Sequence, residues 1–263
     1  MRAFVLLLLL ALGAPAVAQT ADSLAADLEA LLGHEVTTEA AHRERASHAA
    51  ASLTIITADE IDRAGHRTVA DVLATVRGFY VSDDRSYSYV GVRGISRPGD
   101  LNKRIALYVN GVPARDGFNG AAPLDRMLGV PLVAVERIEI TRGPGSVTYG
   151  TGAMFAVVNV VLKDVRTLDG VRGAIAVGEN GRYEGEAVAA TELGRGVGVS
   201  AAVQVLESDG TDVYFPEFDA LGVNGGVAEG LDWERAHGYV GALQVGGIRL
   251  DLRYGERTKG TSM

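Results

Sequence analysis

Arg142 stands directly before Gly143-Pro144, at the end of a strand-like run. Its planar guanidinium suits two-point contact with a carboxylate. Two polar stretches dotted with aromatics also stand out. One holds Asp83, Asp84, Arg85, Tyr87 and Tyr89, the other Phe118 and Asn119. Ordinary loop composition gives the same pattern, so residue type alone assigns them no role. Covalent and acid–base chemistry finds little support. The five histidines are scattered, and His42 and His48 are too far apart for the i, i+4 pair that shares one metal. The chain has no cysteine, which removes thiolate ligands, disulfides and a Cys nucleophile. The bend Arg142-Gly143-Pro144-Gly145 lacks the Lys-Ser/Thr ending of a phosphate-cradling loop. Without a serine elbow, an HExxH or a poised carboxylate pair, no catalytic, metal or cofactor site is expected, and the chain reads as a non-enzyme.

Composition narrows the class further. Apolar residues make up 47% and charged residues 22%, which describes a folded chain. The 34 glycines favour strands, tight turns and irregular loops. A formal charge of -8 gives no electrostatic case for nucleic acid. At the start, Arg2, the apolar residues 4–12 and Ala16-Val17-Ala18 form an export signal with a small-x-small cleavage site. The expectation is a signal peptide over residues 1–18 and a mature start at Gln19. The apolar run is shorter than the roughly 20 residues a spanning helix needs. No later stretch is long enough either, so any membrane span must be made of strands.

The elements that position the candidate residues follow from local pattern. Residues 19–51 read as a tether, with a short amphipathic helix over 22–32. Order is expected from Ser52. Residues 53–56 are β-branched-rich and predict a strand. Thr57 and Glu60 form a capping box. A second helix starts at Thr68, with Asp71 three residues on, and Gly78 is its expected stop. Strands are predicted at 79–81, 90–95 and 105–109, the last ending in the hairpin dipeptide Asn110-Gly111. Residues 124–128 predict a helical turn. Further strands are expected at 135–140, with Val135, Arg137 and Glu139 on one side, and at 157–162. Helices and strands without βαβ alternation predict an α+β domain over residues 52–165.

After Asp169 the texture changes to period-2 alternation. Val197, Val199, Ala201, Val203 and Val205 share one face. Ile248, Leu250, Leu252 and Tyr254 lie opposite Arg249, Asp251 and Arg253. Antiparallel transmembrane strands look like this, and so does a half-buried soluble sheet. Five strands are expected, at 171–179, 183–192, 197–206, 238–245 and 248–256. Short turns near 194–196 and 246–247 and a long 207–235 loop fit the turn parity of an outer-membrane barrel.

Several strings in order are similar to one family. They are Val92-Arg93-Gly94-Ile95, then Tyr108-Val109-Asn110-Gly111-Val112-Pro113. Val135-Glu136-Arg137-Ile138-Glu139-Ile140-Thr141-Arg142-Gly143-Pro144 follows, then Tyr149-Gly150 and Val158-Asn159-Val160-Val161. Together they resemble the plug domain of TonB-dependent outer-membrane receptors, over about residues 50–165.

The resemblance implies an α+β plug followed by a barrel of about 22 strands, of which residues 169–263 hold the start. Five strands close no barrel and leave an unpaired edge, so this chain alone is expected not to transport. The resemblance also implies a scarce extracellular ligand, a ferric siderophore first among the classes, and traction by the TonB complex of the inner membrane. Arg93 and Arg142 are then expected to pair with acidic residues of the barrel wall. Asp84, Arg85, Tyr87, Phe118 and Asn119 are expected at the ligand. Glu35, Val36, Thr37 and Thr38 form the candidate TonB contact, an extended segment able to add to a partner sheet edge, although it departs from the better-known form of that segment. The competing expectation is a soluble periplasmic plug-like binding module.

Overall fold

The computed structural model describes residues 35–37, 43–45, 52–145, 149–168, 170–194, 196–219 and 224–261. The signal segment, the 22–32 helix and Thr38 lie outside them. In the tether, β1 (Glu35–Thr37) pairs antiparallel with β2 (Arg43–Arg45).

The first domain is a mixed sheet covered by two short helices. Its strands are β3 (Ser52–Thr57), β6 (Ile105–Val109), β7 (Val112–Pro113), β8 (Val135–Arg142) and β9 (Ala156–Leu162), in spatial order β3-β8-β9-β6-β7. The β6–β9 pair is parallel, and the other pairs are antiparallel. Helices α1 (Ala58–Ala64) and α2 (Val69–Thr75) both start on full capping boxes, Thr57/Glu60 and Thr68/Asp71. Their apolar faces bring Ile61, Val69, Val72 and Leu73 onto Ile105, Leu107, Ile138, Ile140, Val158 and Val160, all buried. Truncating one of these to Ala costs about 2–5 kcal/mol, so this layer holds the domain together. A hairpin of β4 (Phe79–Asp83) and β5 (Ser88–Val92) carries residues 84–87 at its tip.

Three details differ from the sequence reading. A bulge between Val135 and Arg137 shifts the register of β8, so Val135 is buried with Ile138 and Ile140 rather than facing out with Arg137. The strand expected through Ile95 stops at Val92, because Arg93 and Gly94 turn the chain with φ of 54° and 80°. The second helix ends at Thr75, where Val76 is already extended; Gly78, at φ 90°, serves the turn into β4 instead.

The second unit is a five-stranded antiparallel sheet in order β10-β11-β12-β15-β16. Its strands are β10 (Gly170–Val177), β11 (Tyr183–Gly194), β12 (Val197–Ser208), β15 (Glu234–Val245) and β16 (Ile248–Lys259). The last four have 12 residues each, longer than the periodicity indicated. At about 3.3 Å per residue each reaches roughly 40 Å, enough for a tilted span. A small hairpin, β13 (Val213–Tyr214) and β14 (Val227–Ala228), sits in the long connection. One face of the sheet packs on the first domain. The other exposes Val171, Ile175, Val205, Leu243, Ile248, Leu250 and Leu252. A continuous apolar face on this scale marks a surface meant to be covered.

Candidate functional site

The contact between the two units is built from cross-strand rows. Registration places Glu184, Leu206, Ala236 and Arg257 in one row across β11, β12, β15 and β16. The next row toward the 246–247 turn is Glu186, Gln204, Gly238 and Gly255. All eight side chains or Cα atoms point toward the first domain, because period-2 alternation sends the intervening residues to the apolar face. Together the rows grip one short segment, the 3-10 turn at Arg126–Leu128 and its flanks.

Arg126 lies at the centre, with its side chain 5% exposed. It donates to Glu184 Oε2 and Glu186 Oε1, both at 2.8 Å. Glu184 also accepts from Arg67 at 2.5 Å and from Arg182. Glu186 takes the Val133 amide at 3.2 Å, and Gln204 donates to the Arg126 carbonyl at 3.1 Å. Charges this deep are tolerable only when paired and hydrogen-bonded, and here each carboxylate has several donors.

Beside the ion cluster the contact is backbone on backbone. Gly129 takes φ 71°, and a Cβ there would lie 2.6 Å from the Gly255 Cα. A Cβ on Gly255 would lie 2.6 Å from the Met127 carbonyl oxygen. The segment sits this close only because three glycines, Gly129, Gly238 and Gly255, meet at one point.

Ion pairs continue the seam in both directions. Arg257 donates to Asp125 at 3.1 Å, Glu234 at 2.7 Å and the Ser86 carbonyl at 2.5 Å. Burial pushes the Asp125 carboxyl up, against the opposing pull of Arg257. Asp232, in the long connection, receives Arg85 at 2.8 Å and Lys259 at 2.9 Å. Toward the other end, Asn110 donates to Asp251 at 3.2 Å and Arg249 approaches Asp164 at 3.9 Å. Within the first domain, Glu139 is buried with Arg137 at 2.9 Å and Asn159 at 3.0 Å, and Asn159 accepts from the Gly111 amide at 3.0 Å. The recurring strings of the sequence thus meet in one hydrogen-bonded chain.

The expected site residues do not share one environment. Asp84 is committed to its own loop, accepting from Ser86 N, Tyr87 N and the Tyr89 hydroxyl at 2.7–2.9 Å. Burial works against its charge, but the Tyr89 hydroxyl and those amides outweigh it and hold the carboxyl below its ordinary range. Burial and the adjacent Asp84 push Tyr89 up to about 12. Arg85 is spent on Asp232. Tyr87 and Asn119 line a cavity of about 600 Å³ between the first domain and β16, while Phe118 is 97% exposed.

Arg142 has partners other than those expected: the Arg77 carbonyl at 2.8 Å and Thr54 at 3.1 Å, both within the first domain. The end of β8 lies beside β3, which puts those groups within its reach. Arg93 is exposed on its turn and has no ion pair among the described residues. The residues that do pair with the wall, Arg126 above all, were not singled out from sequence. One signal was available. Glu184 and Glu186 share a face of β11 with the small or apolar Val188 and Ala190.

The geometry defines a class: an α+β plug clamped by its surface turn to one face of an antiparallel barrel wall. Residues 45–157 match the family model described as TonB-dependent Receptor Plug Domain, so the chain carries a plug domain of that family. It is 28% identical over 170 residues to the vitamin B12 transporter BtuB of Vibrio vulnificus, covering 64% of this chain and 27% of that protein. It is 27% identical over 128 residues to an iron-regulated outer membrane virulence protein of Vibrio cholerae, covering 49% and 20%. The fold is similar to the pyoverdine outer membrane receptor FpvA of Pseudomonas aeruginosa, with a TM-score of 0.62, 17% identity and coverage of 85% of this chain and 30% of that one. The chain spans less than a third of the length of each of these relatives.

Proposed function

We propose that this chain is the N-terminal portion of an outer-membrane receptor for energised uptake of a scarce nutrient, a ferric siderophore being the first class to test. The observation that carries the reading is the two-faced wall. One face is keyed to the plug by the Arg126 cluster and the three glycines. The other presents an apolar surface suited to outer-membrane lipid. A soluble plug-like module has no use for the second face.

In this reading residues 1–18 direct export, 19–51 form the tether, 52–165 plug the barrel and 169–263 begin its wall. The TonB complex engages Glu35, Val36, Thr37 and Thr38. Extracellular ligand meets Tyr87, Phe118 and Asn119, whose side chains are the least committed of the candidates. Asp84 and Arg85 shape that surface from behind.

The experiment is fractionation and uptake in cells expressing the complete reading frame that contains this chain. Expected is outer-membrane location and accumulation of a labelled ferric siderophore that stops when TonB is deleted. Accumulation of cyanocobalamin alone moves the ligand class and keeps the receptor. Recovery from the soluble periplasm overturns the reading in favour of the plug-like module.

A further inference from the structure

The face of the wall turned away from the plug changes character along its strands. Register across β11, β12, β15 and β16 sets it out in rows. Nearer the short turns lie Thr191, Val199, Leu243 and Leu250, then Ala189, Ala201, Gly241 and Leu252. Ala187, Val203, Tyr239 and Tyr254 follow, and after them Gly185, Val205, His237 and Glu256. Beside the long connection the row is Tyr183, Glu207, Arg235 and Thr258. The face runs from apolar, through a pair of tyrosines, to charged, and that gradient puts a membrane boundary at the tyrosines.

The groups at this boundary form one patch. Tyr239, Tyr254 and His237 make a three-ring cluster with centroids 6.1–6.2 Å apart. Glu256 accepts from the Tyr254 hydroxyl at 2.6 Å and pairs with His237 at 3.2 Å. One row on, Arg235 donates to Glu207 at 3.2 Å and lies over the Trp233 ring at 5.5 Å. The side chains of Arg235, Glu207, His237 and Glu256 keep 43–66% of their surface exposed. Exposed ion pairs of this kind add little to stability, and charge on a lipid-facing wall is costly away from the interface. Their use here is a partner in the headgroup layer. On the apolar side of the patch, Val171, Ala189, Ala201, Leu252 and both tyrosines line a shallow depression of about 620 Å³.

Each part of the patch fits a different part of one molecule. The arginine and histidine donate to phosphate. The carboxylates accept from hydroxyl and amide groups. The exposed rings offer a flat apolar surface to the C–H face of a sugar, and the depression takes an acyl chain. A zwitterionic phospholipid has neither the hydroxyls nor the sugar face. In the uptake reading the end bearing the long connection is extracellular, so the lipid belongs to the outer leaflet.

We propose that this boundary patch binds a phosphorylated, acylated sugar lipid, with its headgroup on Arg235, His237 and Glu256 and one acyl chain in the depression below Tyr239 and Tyr254. The inference rests on the wall reading above and adds a specific lipid to it.

The test uses the receptor expressed from its complete reading frame and delipidated in detergent. It is titrated with lipid A (an acylated, phosphorylated glucosamine disaccharide), with the dephosphorylated form and with phosphatidylethanolamine, and binding is read by native mass spectrometry. Wild type is expected to give a one-to-one adduct with lipid A and to hold the dephosphorylated form about tenfold more weakly, the worth of a charge-assisted contact. That comparison is independent of whether any variant folds. Arg235→Gln is expected to weaken lipid A about tenfold and Tyr239→Ala to weaken it as well. Thr191→Ala, far along the same face, is expected to bind as wild type does. Equal affinity for lipid A and phosphatidylethanolamine overturns the site, and so does equal binding of lipid A by wild type, Arg235→Gln and Tyr239→Ala. A second copy of the receptor in place of the lipid adduct overturns it too. Each of these leaves the wall reading intact. Recovery of the receptor from the soluble periplasm overturns the wall reading, and this site with it.

Discussion

Gly129 of the plug and Gly238 of β15 meet backbone against backbone: a Cβ on Gly238 would lie 2.6 Å from the Gly129 Cα. Gly238 has no unusual φ, so space alone requires glycine there. Gly238→Ala is expected to loosen the clamp by about 1–3 kcal/mol, the usual cost of overpacking. Gly241→Ala on the same strand meets nothing within 4 Å and is the control. Thermal unfolding of the detergent-solubilised receptor checks the pair. Equal melting of the two variants would contradict the contact.

Arg126 is paired with Glu184 and Glu186, both on β11, with its side chain and that of Glu184 both 5% exposed. Arg126→Met leaves Glu186 with only the Val133 amide among the described residues. Stranding a buried charge costs about 3–5 kcal/mol, and a loss of that order is expected. Arg126→Met combined with Glu186→Gln should recover part of it, since the stranded charge is gone. A double-mutant cycle read by denaturant melts decides. Strict additivity of the two changes would mean that the residues do not interact.

The Asp84–Tyr89 pair fixes the pH behaviour of the apical loop. Asp84 has a lowered carboxyl pKa, so its contribution is present above the ordinary carboxylate range and is lost as pH falls through the lowered value. Tyr89 is raised to about 12, so its contribution is full below about 10 and is lost as pH rises toward 12. Amide exchange at Ser86 and Tyr87 should therefore accelerate only in strong acid, and Tyr89 phenolate absorbance should appear late in an alkaline titration. In Tyr89→Phe the acid-side loosening should move to higher pH. An unmoved acid limb would remove Tyr89 from the account.

How much of this was legible beforehand divides along physical lines. Both capping boxes, the Asn110-Gly111 hairpin and the five alternating strands are local patterns, and they read correctly. The bulge at Val135 did not, because an inserted residue leaves the alternation looking intact while reversing a face. The clamp was hidden for a different reason. Arg126 lies 58 residues from Glu184 and 60 from Glu186, and Gly238 and Gly255 look like ordinary strand glycines until the register aligns them. Long-range pairing is set by the stacking of rows, which no local window contains.

Phe118 is 97% exposed and makes no ring contact among the described residues. Phe118→Ala should leave stability within about 0.5 kcal/mol while weakening ligand binding. Calorimetric titration with whichever chelate the uptake screen selects, alongside a melt, separates the two. Unchanged affinity would make Phe118 a bystander of the loop.

The central claim is that β10, β11, β12, β15 and β16 form a wall with lipid on one face and plug on the other. It is tested most directly by nitroxides placed singly along β16 from Ile248 to Tyr254 in the outer membrane, with collision against oxygen and against a water-soluble nickel complex measured at each site. The account predicts oxygen-favoured collision at 248, 250, 252 and 254, and shielded or nickel-favoured positions at 249, 251 and 253. Nickel access that is uniform along the strand would contradict it.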